Sequence, residues 1–260
     1  MTYFTYHRSD RVGMNIFFRL IVISNCEKNK GKLTYVHTPL KEKTFEEMFN
    51  LGASYKKIKD IKDKTQVRVG GLLKTGDCLE RLNTSNILSG KSELPYFSND
   101  FRIKMIKKLN KKYFKTQTSK KLTFCIHLRR GDAYRTNPQI LRAGSDNFLQ
   151  RCLDAIKSRF NNCKTPPLIN IHSDSEIDME GFNTYNLNIV TKFDVKPEEA
   201  MSDMISCDCL FRYGISSFSG VAAFYNQNFI ISEQPKGYKG LYKMDNVFEM
   251  KDFKKINFKD

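Results

Sequence analysis

Between residues 122 and 232, short apolar runs alternate with longer amphipathic ones, and this alternation narrows the possible folds more than any other feature of the chain. The runs at 122–128, 168–172, 188–193, 210–215 and 229–232 are rich in β-branched and aromatic residues and read as strands. The segments at 146–160, 197–206 and 219–226 read as helices, with Ser145 as N-cap of the first and Pro197 in the first turn of the second. Strands separated by helices pair in parallel, so this stretch reads as a doubly wound α/β domain, which takes ligands at the carboxyl ends of its strands. Upstream, a strand at 2–7, a loop at 8–13, a helix at 14–28 and a strand at 32–37 form a further β-loop-α-β unit. A short helix at 44–51 follows, then irregular chain over 56–92, then a basic helix over 99–118 capped by Ser98 or Asn99. A polar connector at 117–121 divides the chain into domains of 1–118 and 119–260.

The 260 residues carry a formal net charge of +16, and 40% are hydrophobic, including 20 Phe and 12 Tyr. That composition supports packed cores and excludes wholesale disorder. No apolar run reaches the roughly 18 residues of a membrane span. Residues 16–23 come nearest and are interrupted by Arg19. Residues 1–10 are polar and carry no leader pattern, so the chain reads as a soluble cytoplasmic protein or the soluble catalytic part of a longer one. None of the seven cysteines has CxxC spacing, which argues against a zinc or redox motif. Cys125, Cys152 and Cys207 sit in apolar runs as reduced, small hydrophobes. The basic residues of 99–118 interleave with Phe101, Ile103, Ile106, Leu109 and Phe114, a solvated face over an apolar stripe. No zinc-finger, RNP or basic-zipper pattern occurs, so no nucleic-acid partner is expected, and the charge suits nucleotide diphosphates equally well.

Three clusters stand at expected strand ends. In His127-Leu128-Arg129-Arg130-Gly131-Asp132, two guanidinium forks suit a phosphate, Gly131 permits a tight turn, and Asp132 orients an arginine or acts as a base. The competing reading is a surface Arg–Asp pair. In Gly214-Ile215-Ser216-Ser217-Phe218-Ser219-Gly220, free N–H groups at a helix start combine with three hydroxyls into an anion site, where capping alone needs one serine. Its spacing is not that of a G-x-S-x-G elbow, and neither a P-loop nor GxGxxG is present. In His172-Ser173-Asp174-Ser175-Glu176, an acid is placed to read a base or ribose edge. Asp174 and Glu176 lack the further oxygens of a hard-cation site, so no metal is expected.

Taken in order, these clusters resemble the motifs of the α-1,2-, α-1,6- and protein O-fucosyltransferase superfamily. The run 127–132 matches its HxRRxD motif, and 204–219 is similar to the strand that leads into S-S-F-S. His172-Ser173-Asp174-Ser175 resembles its middle motif with Ser175 in place of a second Asp, and Arg11-Val12-Gly13-Met14-Asn15 resembles its R-F-G-N loop with Asn displaced by one. The resemblance covers 122–232 and, more weakly, 2–36.

It implies an α/β, GT-B-like architecture of two Rossmann-like domains facing across a cleft, the N-terminal one reduced. It also implies an inverting, metal-independent transfer of L-fucose from GDP-fucose to a hydroxyl of a glycan or glycoprotein, with GDP-fucose as donor substrate and no cofactor. Arg129 and Arg130 would grip the diphosphate, with Ser216, Ser217, Phe218 and Ser219 closing the phosphate site. His127 and Asp174 would hold the nucleoside, either Asp203 or Asp208 would read guanine, and Gly13 and Asn15 would line the sugar side. The loop after the arginines has no Glu, which leaves Asp10 and Asp132 as candidate bases. The alternatives are a glycosyltransferase using another nucleotide sugar and a non-catalytic binder of sugar nucleotides or polyanions.

Overall fold

The computed structural model describes residues 2–6, 12–29, 33–62, 67–70, 97–114, 121–130, 138–180, 182, 187–193, 195–213, 216–233 and 244–258, with the backbone alone for 2–6, 67–70 and 138–144. Two compact units divide between Tyr113 and Phe114.

In the first unit, β1 (Thr2–Tyr6), β2 (Leu33–His37), β3 (Lys56–Lys57) and β4 (Val67–Gly70) form a parallel sheet in the order β3-β2-β1-β4. Helix α1 (Val12–Lys28) packs on β1 and β2 with its apolar run buried. It begins at Val12, two residues earlier than expected, so Gly13 lies in its first turn rather than in the loop, and Gly13 and Asn15 are both buried. Arg19, which interrupts the apolar run, donates inside the unit to the Thr38 carbonyl and the Tyr35 hydroxyl, while its Nε has no hydrogen-bond partner among the described residues. Burial pushes the Tyr35 hydroxyl up to about 12 against the nearby Arg19 charge. The His37 ring joins Tyr35 (3.1 Å) to Glu46 (2.7 Å), whose other oxygen accepts from the Leu40 N–H at 2.8 Å. Helix α2 (Lys43–Phe49) ends where Asn50 turns left-handed at φ 47°, a conformation Asn tolerates better than most residues. Helix α3 (Asn99–Ile106) is capped by Ser98, whose Oγ accepts from the Phe101 N–H at 3.2 Å. It stops well short of 118. Asn110 donates its N–H to Met48 and accepts from the Lys112 N–H, drawing the chain into a 3₁₀ turn at Lys111–Tyr113.

The second unit holds β5 (Thr123–Leu128), β6 (Leu168–Ser173), β7 (Asn188–Lys192), β8 (Cys209–Tyr213), β9 (Phe229–Glu233) and β10 (Val247–Phe248). All are parallel, in the order β10-β9-β8-β5-β6-β7. The chain runs outward from β5 to β7, then returns to lay β8 on the other side of β5, so the winding reverses between β5 and β8. Helix α4 (Pro138–Phe160) starts well before the expected cap; Ser145 is buried within it, and Pro138 at its first position is preset for a helix start. Helices α5 (Pro197–Ser206) and α6 (Ser217–Tyr225) pack on one another.

One sheet face is apolar. Phe124, Ile126, Ile171, Phe211 and Ile231 pack with Phe148, Leu153 and Ile156 of α4 and with Phe253 and Phe258. Phe124 meets the rings of Phe258 at 5.2 Å and Phe160 at 5.5 Å. Arg159 fastens the 3₁₀ segment Met250–Lys255 by donating to the Phe253 and Ile256 carbonyls, with its guanidinium 4.8 Å from the Phe258 ring centre. Phe253→Ala is expected to cost roughly 3–5 kcal/mol in urea unfolding of the second unit, as for other buried Phe truncations. Ile103→Ala, at a side chain 51% exposed, is expected to change stability by less than about 0.5 kcal/mol.

Candidate functional site

A doubly wound sheet opens a crevice where its winding reverses, at the carboxyl ends of its strands. Here that place is the carboxyl ends of β5 and β8, which lead to Arg129-Arg130 and to α6. Register brings a row of polar side chains abreast just below it. Lys192 on β7 pairs with His172 on β6, His172 with His127 on β5, His127 with Arg212 on β8, and Arg212 with Ser232 on β9. In-register neighbours on parallel strands project to the same face, here the face away from the apolar cluster.

His172, His127 and Arg212 are buried, Lys192 and Ser232 are half-buried, and much of the row is answered. Lys192 Nζ lies 2.6 Å from Asp203 Oδ2, and His172 Nε2 lies 3.5 Å from the same oxygen, close enough to pair but not aligned as a hydrogen bond. Arg212, 1% exposed, donates to Ser232 Oγ (3.1 Å), the Ser216 carbonyl (3.3 Å) and Ser219 Oγ (3.4 Å). The buried polar atoms without a hydrogen-bond partner among the described residues include, in and beside this row, His127 Nδ1, in a residue 7% exposed, Ser216 Oγ, in a residue 6% exposed, and His172 Nδ1. Orphaned polar atoms in a native interior call for an explanation, and at a helix start a ligand supplies one. Phe218, in the first turn of α6, sets its ring 6.1 Å from that of His127.

The surroundings are electropositive. Burial, then the charges of His172, Arg212 and Arg129, push the His127 imidazole down to about 3. For His172 burial also works downward, but the Asp203 carboxylate and the Cys125 thiol outweigh it and raise the imidazole overall. Cys125, one rung below His127, is in turn drawn down against its burial by hydrogen bonds with Cys207 and His172.

The paired arginines divide. Arg129 is half-buried and close enough to His127 for its charge to be felt there. Arg130 turns inward to an ion pair with Asp146 of α4 and a 3.5 Å bond to the Glu176 carbonyl, while its backbone N–H donates to Asp174 Oδ1 at 2.5 Å. Asp174 therefore braces the loop after β5, and the partner of the inward arginine is Asp146. Ser217 and Phe218 are half-buried, while Ser219 is fully buried and donates to the Ser216 carbonyl. Asp203 faces the basic row from α5. Asp208 stands at the opposite end of the sheet, its carboxylate accepting from the Thr123 N–H at 2.7 Å and the Thr123 hydroxyl at 3.1 Å. A five-residue strand separates it from the carboxyl edge, roughly 16 Å at 3.3 Å per residue. The guanine-reading role open to either aspartate therefore does not suit Asp208. Asp10, Asp132 and Gly214 lie outside the described residues, and Gly13 and Asn15 belong to α1 of the first unit.

Arg212 and Lys192 were not anticipated, and His172 was noted in its cluster without a role of its own. Each is a polar residue at the end of an apolar run, a visible signal, but their alignment depends on strand register. Among the described residues no group of three or more His, Cys, Asp or Glu side chains converges to hold a metal ion, and no helix is long and apolar enough to cross a membrane.

No family model and no curated protein matches the sequence. Among solved structures, the chain is similar to the crystal structure of POFUT1 in complex with GDP-fucose, with a TM-score of 0.50 and 10% identity over 90% of this chain and 97% of that one. At that identity the likeness shows the fold, α/β and GT-B-like.

The two imidazoles make opposite contributions to acid stability. The unfolded His127 takes up a proton below ~6.5 that the folded one refuses, so its contribution is lost as pH falls from there toward about 3. The contribution of His172 is full below ~6.5 and lost as pH rises through its raised value. Unfolding free energies measured at several pH values should therefore show His127→Gln gaining on the wild type by up to ~1.4 kcal/mol per pH unit below ~6.5. A gap independent of pH would mean that the folded His127 takes up protons freely.

Proposed function

We propose that the chain is a glycosyltransferase that binds a nucleoside diphosphate sugar at the crevice between β5 and β8, with GDP-fucose as donor and a glycan or glycoprotein hydroxyl as acceptor. The observation that carries this reading is two buried atoms without a partner among the described residues, His127 Nδ1 near the end of β5 and Ser216 Oγ at the start of α6. The order of the sequence motifs supports the choice of donor, and the fold is compatible with it.

Cleaving a sugar–diphosphate bond develops negative charge on the leaving phosphate and positive character on the sugar. Fixed donors that need no reorganisation stabilise such charge most effectively. Here the half-buried Arg129 and the first-turn N–H groups of α6 take that part, with Phe218 and His127 lining the same pocket. Transfer is inverting and proceeds without a metal, the positive charge being supplied by side chains. Asp10 and Asp132 remain the candidates for the base that accepts the acceptor hydroxyl's proton. One observation favours the second reading, a sugar-nucleotide binder without turnover: Arg130 is committed to Asp146, which leaves Arg129 as the single guanidinium of the motif directed elsewhere.

GDP is expected to raise the melting temperature more than UDP, ADP or GMP at equal concentration, because a ligand bound to the native state stabilises it. Equal shifts for GDP and UDP would remove the donor assignment and leave the fold untouched. Arg129→Ala should lower kcat/KM by about 3 kcal/mol of transition-state stabilisation with little change in melting temperature, and Arg129→Lys should rescue only in part. Arg130→Ala should instead lower stability by roughly 1–3 kcal/mol through loss of a charged hydrogen-bonded pair. Melting curves and single-turnover rates on the same preparations separate the two roles, and an Arg129→Ala enzyme with full turnover would remove that residue from catalysis.

A further inference from the structure

We infer that Arg212 is a positioning residue for the phosphate groups of the ligand, stapling the first turn of α6 to the sheet and adding a fixed positive charge beneath it. The inference rests on the crevice between β5 and β8 being an anion site.

Helix α6 has nine residues, and Ser216 occupies its N-cap position without making the usual side-chain bond to a first-turn N–H. The turn is secured another way. The guanidinium of Arg212 bonds the Ser216 carbonyl and the Ser219 hydroxyl with two of its nitrogens and reaches Ser232 on β9 with the third. Ser219 in turn donates to the Ser216 carbonyl. One side chain on β8 thereby fixes β9 and the entry of α6 in a single planar fork, a geometry that a lysine cannot reproduce.

The sign of the charge points to function. A helix N-terminus is already positive, so anions stabilise it and cations oppose it. A guanidinium stays protonated even when buried. Placing one under the start of α6 adds to the positive potential there, which an anion would answer. Its positive potential is also felt at His127, one strand away in register, where it helps hold the imidazole neutral. His127, whose Nδ1 is unpartnered, sets its ring 6.1 Å from that of Phe218 in the first turn of α6, and the Oγ of the N-cap Ser216 is unpartnered too. This arrangement fits a phosphate-bearing ligand with more than one negative charge better than a neutral sugar.

Three variants of the whole chain test this. Arg212→Lys keeps the charge and loses the fork, Arg212→Met loses both, and Ser232→Ala removes only the far anchor, which guards against a variant that fails to fold. Calorimetric titration with inorganic pyrophosphate and with GDP should show about a ten-fold loss of affinity for Arg212→Lys, the worth of one hydrogen bond to a charged group, with a smaller loss for Ser232→Ala. In the ligand-free protein, amide exchange at Ser219, Gly220 and Val221 should accelerate in Arg212→Lys. The His127 ring, followed by NMR, should titrate at higher pH in Arg212→Met and unchanged in Arg212→Lys, a separation that loss of packing alone would not produce. Wild-type affinity in Arg212→Lys, or an unshifted His127 in Arg212→Met, overturns the inference. If the wild type binds pyrophosphate but not GDP, the donor reading fails while the inference stands on the pyrophosphate series. If it binds neither, both fail.

Discussion

A central strand of a parallel sheet has no solvent face, so every charge placed on it must be answered by the elements packed above. Strands β5 and β8 are such strands, and they carry His127 and Arg212 side by side. Much of the second unit's polar architecture follows. Ser232 extends the answer to β9, Asp203 descends from α5 to meet Lys192 and His172, and α6 offers the carbonyl of Ser216 and the hydroxyl of Ser219. The opposite face needs none of this, because Phe124, Ile126 and Phe211 meet only apolar partners there. A low dielectric strengthens each satisfied bond and makes each orphan more costly. The orphans on this face, His127 Nδ1 and Ser216 Oγ among them, therefore set it apart from the apolar one.

The first unit answers most of its buried charge in the same way, although Arg19 Nε and Lys108 Nζ have no hydrogen-bond partner among the described residues. Arg19 lies on a helix that is otherwise apolar and buried, and carbonyl and phenol oxygens receive it there. His37 is held from both sides by Tyr35 and Glu46, so closely that a Cβ on Gly52 would come within 2.4 Å of its ring. These groups brace β2 against α2. They resemble the Arg212 group in kind, but each described nitrogen of the His37 ring has its partner, and the cluster reads as structure.

The fold was largely legible in the sequence, since apolar runs, their lengths and the helical periods between them identify strands and helices locally. Ser98 was legible as a cap for the same reason. Ser145 misled because it has a cap residue's chemistry, whereas Pro138 upstream had already begun the helix. That misplacement also hid Asp146 as the partner of Arg130. Asp208 attracted attention through its place in a motif, yet it precedes β8 and is bound to the sheet's amino edge. The transverse row was not legible at all. Lys192, His172, His127 and Arg212 come from four runs whose order in the sheet differs from their order in the chain, and only register aligns them.

The clasp of Arg159 on the segment that carries Phe253 and Phe258 bears on how the protein is made. Those rings cover Phe124 on β5, the first strand of the unit to leave the ribosome. Residues that far apart in sequence meet late, because a long loop must close before the contact stabilises anything. During translation β5 therefore carries an aromatic face covered only in part, by α4, until residues 253–258 are made, and such a face is a docking point for chaperones and a point of misassociation between nascent chains. Truncated products that stop before Phe253 would leave that face only partly covered, so quality control of this protein turns on the contact that residues 253–258 make with β5.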